Sequence, residues 1–447
     1  MKHFLFLILV NFFLSVSFAE SLPYADDGFK CTDQAEAQKM IKDFNINLKS
    51  FGGLELCNSA TDFKKLTNDL TLIKEGRFTA TGDNLFIRKF IDSSNYYSWL
   101  KSMTRGMNRG NDVPFATAYN RGGYFTMQDG WTKLSSLGRV GTIIHEARHT
   151  SFYRHTPCTH GPYMNASSDA CDKDYKYGGS HAVEMEYYAR VSVQGENFHP
   201  VYKSMARLMA IARSNFVFND SPIKTREALF TISENGQGLL YNGDQVVHRE
   251  VPSIEGALKR TSYGAAIYSK DKAYSIEMYE NPNSKVNILD TYSYFKLLLS
   301  YNSKYTDFEE FDVNQKRHAV AVTEKNTWLA YDFPAGQWGR ETSLNFQPVR
   351  SASTVETGKQ GYYLIDRDNS IYELDMGQKT FSKPLSYKWN PEFVNIAKVD
   401  NRLFILKDDG KIYEKSRDGQ IVASPLHQGN YRNIVAVPLY DGFEVQQ

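Results

Sequence analysis

Beyond about residue 222 the chain repeats a short pattern, and that repeat constrains its architecture more than any other feature. Gly361-Tyr-Tyr-Leu-Ile-Asp-Arg-Asp-Asn-Ser-Ile-Tyr372 matches Arg402-Leu-Phe-Ile-Leu-Lys-Asp-Asp-Gly-Lys-Ile-Tyr413, by residue type more than by identity. Asp368 and Asp409 lie 41 residues apart, as do Tyr372 and Tyr413, and Asn326 stands 43 before Asn369 in a similar stretch, Val320 to Tyr331. Fainter copies run from Ala266 to Glu277 and from Phe230 to Tyr241. Each unit is an apolar strand, a polar turn with Asp, Asn or Gly, and a second strand carrying Tyr or Trp. One such unit cannot bury its own apolar face, so neighbouring copies must cover it.

Recurring about five times, these units resemble the blades of a β-propeller, whose circular closure would leave few strand edges exposed. A β-sandwich is the competing all-β arrangement. Abundant Tyr and Phe (29 and 28 residues) suit a filled β core. Upstream, residues 20–221 read as mainly helical. Asp33 or Thr32 can cap a helix reaching Leu48, Ser59 starts a second, and a third spans Tyr96 to Met107. Ala116–Tyr119 and Tyr124–Met127 flank a Gly-Gly turn and predict a hairpin. Further helices follow near 137–152, 180–193 and 200–216. The expected fold is therefore a multidomain α+β chain, with a mainly helical domain containing a small hairpin (20–221), then an all-β, propeller-like domain (222–447).

Residues 1–19 have the form of a secretory signal. Lys2 precedes an apolar run, and Ser17-Phe-Ala19 is a small-x-small cleavage site. An exported protein, periplasmic or secreted, is expected, without a membrane span in the mature chain. Four cysteines in such a chain imply two disulfides in one of three pairings, and proximity favours Cys31–Cys57 with Cys158–Cys171. Charge is balanced, with 52 Lys plus Arg against 51 Asp plus Glu, which gives no indication of a nucleic-acid partner.

The chemistry concentrates in Gly141-Thr-Ile-Ile-His-Glu-Ala-Arg-His-Thr150. On a helix, His145 and His149 project from one face and can converge on one metal ion, with Glu146 beside it to deprotonate a bound water. Leu137, Val140, Ile143 and Ile144 give that helix a buried face. Gly138 and Gly141 are weak helix formers and place its start nearer Arg139 than Leu137. The motif resembles the zincins, which implies Zn²⁺ and peptide hydrolysis. Arg148 inside the motif is unusual, and Asp172 or Asp174 could neutralise it.

Catalytic zinc takes three protein ligands and one open position. Glu186-Tyr-Tyr-Ala189 resembles the downstream helix of the gluzincins, which points to Glu186 as third ligand. Glu184, two residues earlier, faces nearly the opposite side of that helix. His155 is the runner-up. The run from His145 to His155 has the spacing of the longer metzincin motif, but Phe152 occupies the place of its turning glycine. A helix continued through Phe152 would carry His155 about 15 Å along its axis and about 80° off the ligand face. His160 and His181 are candidates to orient ligands from behind, and Tyr175, Tyr177, Tyr187 and Tyr188 are candidate oxyanion donors.

The resemblance thus implies a zinc metallopeptidase in which His145, His149 and Glu186 hold zinc and Glu146 is the general base. Its partners would be a protein or peptide substrate and, through the propeller, a surface protein or glycan. The rival reading is a non-catalytic exported binding protein whose propeller is the functional module and whose metal is structural.

Overall fold

The computed structural model describes residues 21–440, apart from 83, 93–94, 114–115, 167, 224, 244–245, 251–255, 262–263, 270–271, 278–287, 291–304 and 334–336. Residues 1–19, expected to be a secretory signal, lie outside the described residues.

Helices fill the first half, and local chemistry sets their ends. Helix α1 (Gln34–Phe44) starts at Asp33, whose carboxylate accepts from the N–H groups of Ala35 and Glu36. It stops at Asn45, which takes a left-handed φ of 46°. It therefore ends short of Leu48, because Ile46 leaves the helix to bridge Met107. Helix α2 (Asp62–Glu75) is capped by Thr61 and buries Phe63, Leu66, Leu70 and Ile73. Helix α3 (Tyr96–Met103) is shorter than expected. After Thr104 turns extended, Gly106–Arg109 becomes strand β1.

The expected hairpin forms as β2 (Ala118–Arg121) and β3 (Tyr124–Met127), with β1 parallel to β3 in the order β1-β3-β2. A short helix, α4 (Asp129–Thr132), leads into the motif helix, α5 (Ser136–His149). Ser135 caps α5, so its start is earlier than glycine propensity suggests. Strand β4 (Asp172–Asp174), helices α6 (Ser180–Gln194) and α7 (Pro200–Phe216), and strand β5 (Phe218–Asp220) follow. β4 and β5 pair in parallel. Arg139, almost wholly buried on α5, forms a two-pronged ion pair with Asp69 of α2, both contacts at 2.8 Å, and reaches Asp26 at 2.8 Å. A paired guanidinium locks α5 to α2 in one register.

Every described element after residue 220 is a strand. Sheets begin at Ala257–Thr261, Tyr305–Val313, Pro348–Thr354 and Phe393–Val399, and each runs outward through the strands next in sequence. The fifth sheet is different. Its first strand is the C-terminal Tyr431–Tyr440, hydrogen-bonded to Thr225–Ser233 along nearly its whole length. The first strands neighbour one another in a closed ring, from Ala257–Thr261 round to Tyr431–Tyr440 and back. The second half is a five-bladed β-propeller, closed by joining its two ends in one blade.

The repeat seen in the sequence follows from turn geometry. Asn326, Asn369 and Gly410 occupy matching turns and all take left-handed φ, between 57° and 73°. Only Asn, Asp and Gly enter that region at little cost. The two halves are not independent. One apolar cluster joins helical residues such as Tyr202 and Phe216 to Ala266, Phe308 and Leu329 of the propeller. No described helix is long and apolar enough to cross a membrane.

Candidate metal centre

The end of α5 determines which residues meet. The helix stops at His149, and the N–H of Phe152 returns to the His149 carbonyl at 2.9 Å. Phe152 itself adopts φ 65° and is 85% exposed. It makes the left-handed turn that a glycine would make more cheaply, and the chain folds back so that His155 faces α5. The helix does not continue through Phe152; the chain turns before Pro157, and the geometric objection to His155 falls. Because the exposed ring buries little, Phe152→Gly should raise stability by up to about 1 kcal/mol, the left-handed penalty less the chain entropy of glycine. Thermal unfolding with zinc content measured alongside checks this; a fall in stability would show that the ring packs.

The Nε2 of His145 lies 3.1 Å from that of His155 and 3.2 Å from that of His149. Behind each ring, Nδ1 has an acceptor. Glu184 Oε2 serves His145 at 3.3 Å, the Tyr153 carbonyl serves His149 at 2.6 Å, and Asp172 Oδ1 serves His155 at 3.1 Å. A carbonyl or an ionised carboxylate can only accept, so each Nδ1 carries the proton and each Nε2 a lone pair. Three lone pairs then face one another with no donor among them. A cation satisfies that arrangement. Two nitrogens bound at about 2.0–2.1 Å to one tetrahedral ion stand about 3.4 Å apart, close to the spacing here.

Glu186 is not in this group. Its Oε2 accepts from the N–H groups of Arg88 at 2.8 Å and Phe90 at 3.1 Å, and its Oε1 pairs with Arg190 at 3.1 Å. It pins the segment before α3. Glu184 is the carboxylate that faces the histidines. Burial alone would raise its pKa, but Arg213 at 3.0 Å and hydrogen bonds from His145 and His181 hold it well below the usual carboxylate range. Tyr188 donates to its other oxygen at 3.1 Å. Gly141 makes room for that tyrosine, since a Cβ there would lie 1.8 Å from the Tyr188 hydroxyl.

Asp172 is the residue that sequence reasoning missed as a ligand partner. Its Oδ1 accepts from the His155 Nδ1–H while Oδ2 accepts from the N–H groups of His181 and Ala182 in the first turn of α6. A Cβ at Gly179 would sit 2.4 Å from Oδ2. Gly179→Ala should push Asp172 away from His155 and, if the histidines hold zinc, weaken its binding by about 10- to 100-fold, as loss of such partners usually does. Competition with a zinc-binding dye measures it, and unchanged affinity would mean that Asp172 does not hold His155.

Arg148 pairs with neither Asp172 nor Asp174. Its Nε donates to the Gly178 carbonyl at 2.8 Å and its guanidinium lies 4.0 Å from the Tyr153 ring centre, which keeps that charge directed away from the histidines. His181 has Nδ1 3.3 Å from Glu184 and Nε2 3.0 Å from the Ala170 carbonyl, and its ring stacks on His155, whereas His160 contacts the Asn215 carbonyl instead. Of the four candidate tyrosines, Tyr175, Tyr187 and Tyr188 are buried and only Tyr177 is exposed.

Glu146 is 5% exposed, and its Oε2 has no hydrogen-bond partner among the described residues. Burial, helped by the charge of Glu184, raises its pKa to about 8. Both proximal cysteine pairs form, Cys31–Cys57 and Cys158–Cys171. The second closes a loop directly after His155 and directly before Asp172. Within it, Gly161 exchanges backbone hydrogen bonds with Gln315 and Arg317 of the propeller.

No protein-family model and no curated protein matches the chain. Solved structures that match part of the chain include apo AztD from Citrobacter koseri, at 13% identity and TM-score 0.23, over 46% of this chain and 62% of that one. A protein of unknown function from Bacteroides caccae matches at 12% identity and TM-score 0.28, over 48% and 98%. YCF48 bound to D1 peptide matches at 11% and 0.22, over 47% and 62%. The chain thus spans under two thirds of the length of AztD and of YCF48. The propeller assignment rests on strand order and ring closure.

Proposed function

We propose that the chain is an exported zinc metallopeptidase whose ion is held by His145, His149 and His155, with Glu146 as general base. The observation that carries this reading is the set of three converging Nε2 atoms, each fixed by an acceptor behind it. Zinc bound there would activate a water and polarise a substrate carbonyl. The chain's own residues supply the rest. Glu184 and Asp172 orient two of the rings and offset the ion's charge. Glu146, one residue after a ligand, has an oxygen without a hydrogen-bond partner among the described residues, as suits a group that takes a proton from water and passes it to a leaving amine. Partial exposure of the three histidines leaves the centre open to substrate.

The propeller supports a second reading, a binding module with a structural metal. Its hydrogen bonds to Gly161, in the loop between His155 and Asp172, suit this version, in which the metal would brace the propeller. Removing zinc with a chelator and restoring it, while following cleavage of an unfolded protein substrate, separates the two. The peptidase reading expects activity to be lost and to return with stoichiometric zinc. Stoichiometric zinc without cleavage would favour the binding protein.

A further inference from the structure

The Cys158–Cys171 loop, the sheet beginning at Tyr305–Val313 (the second blade) and residues Met376 and Lys379 of the next sheet line a cavity of about 530 Å³, within the range of ligand sites. The loop contributes Pro162 and Met164, and the blade contributes Trp328 and Tyr331. Lys316, Arg340 and Lys379 also line it, against a single lining carboxylate, Asp332. None of these three cations is in an ion pair among the described residues. Arg317 is different, being taken up by Glu310 and Asp312. A second cavity of about 940 Å³ shares Met164, Lys316, His318 and Met376 with the first, so the two form one groove. In the second, Lys359 is paired with Glu373 and carboxylates are more numerous. Lys316 lines both parts, but the excess of cations over carboxylates is found only in the first.

We infer that this groove binds an extended polypeptide segment, with an acidic stretch at the Lys316–Arg340–Lys379 end. Charge complementarity selects the occupant. Three uncompensated cations beside aromatic and thioether walls suit carboxylates on a chain that also buries apolar atoms. A polynucleotide would want a longer positive track, and the chain as a whole is balanced at 52 basic against 51 acidic residues. One wall is also held before binding. The loop is closed by its disulfide and tied to the propeller through Gly161, so ordering that wall adds little cost.

The inference concerns binding alone and stands whether or not the histidine centre hydrolyses anything. The mature chain carrying Glu146→Gln is titrated into a fluorescein-labelled peptide containing four consecutive glutamates, and into its glutamine counterpart. Anisotropy should show the acidic peptide binding at least about tenfold more tightly, with the preference fading as salt rises. The triple reversal K316E/R340E/K379E should remove most of that difference, while zinc content and circular dichroism stay unchanged. If the triple variant misfolds, K316A/R340A should still weaken binding severalfold. Equal binding of the two peptides, indifference to the substitutions in folded protein, or tighter binding of an oligothymidylate would each overturn the proposal.

Discussion

His155→Ala is expected to lower zinc affinity by more than about 100-fold, the upper range for losing an outer partner, because it removes a ligand outright. Glu186→Ala is expected to leave zinc binding intact. Its cost falls on stability instead, about 3 kcal/mol, since Arg190 loses its buried partner and the Arg88 and Phe90 N–H groups lose their acceptor. Zinc titration and thermal unfolding of the two variants together separate a metal ligand from a structural carboxylate. Zinc loss from the Glu186 variant with zinc retained by the His155 variant would reverse the assignment.

The second large effect concerns Glu146. Glu146→Gln keeps shape and volume but cannot take a proton, so cleavage should fall by about 10²- to 10⁴-fold while zinc stays bound. Burial works in favour of the substitution here. A neutral amide in a buried position that already disfavours charge should leave stability level or slightly improved. Initial rates on an unfolded protein, with zinc measured in the same samples, provide the test. Undiminished cleavage would remove Glu146 from the mechanism.

The propeller and the two histidines of α5 were legible because both are periodic. Turn positions recur at Asn326, Asn369 and Gly410 because each turn needs the same backbone region, and His145 and His149 share a face by helical spacing alone. The histidine that completes the proposed site was harder to read. The spacing to His155 was visible, but Phe152 in a glycine's place argued against a turn, and only the backbone shows that the chain accepts the left-handed cost there. Glu186 and Glu184 sit two residues apart on α6. Sequence could establish that only one faces the histidines, while the choice depended on Arg190, Arg213 and the segment at Arg88, all remote in the chain. Asp172 had a faint signal in its position next to Cys171, at the far end of the loop that begins after His155. Nothing in the sequence placed the propeller against that loop.

X-ray absorption at the zinc K-edge of the purified mature protein tests the central claim most directly. The account predicts one zinc per chain, with nitrogen or oxygen neighbours at about 2.0–2.1 Å and outer-ring scattering from three imidazoles. That scattering should drop to two rings in His155→Ala and stay at three in Glu186→Ala. A wild-type spectrum fitted by only two imidazoles and a carboxylate, or protein that takes up no zinc, would contradict it.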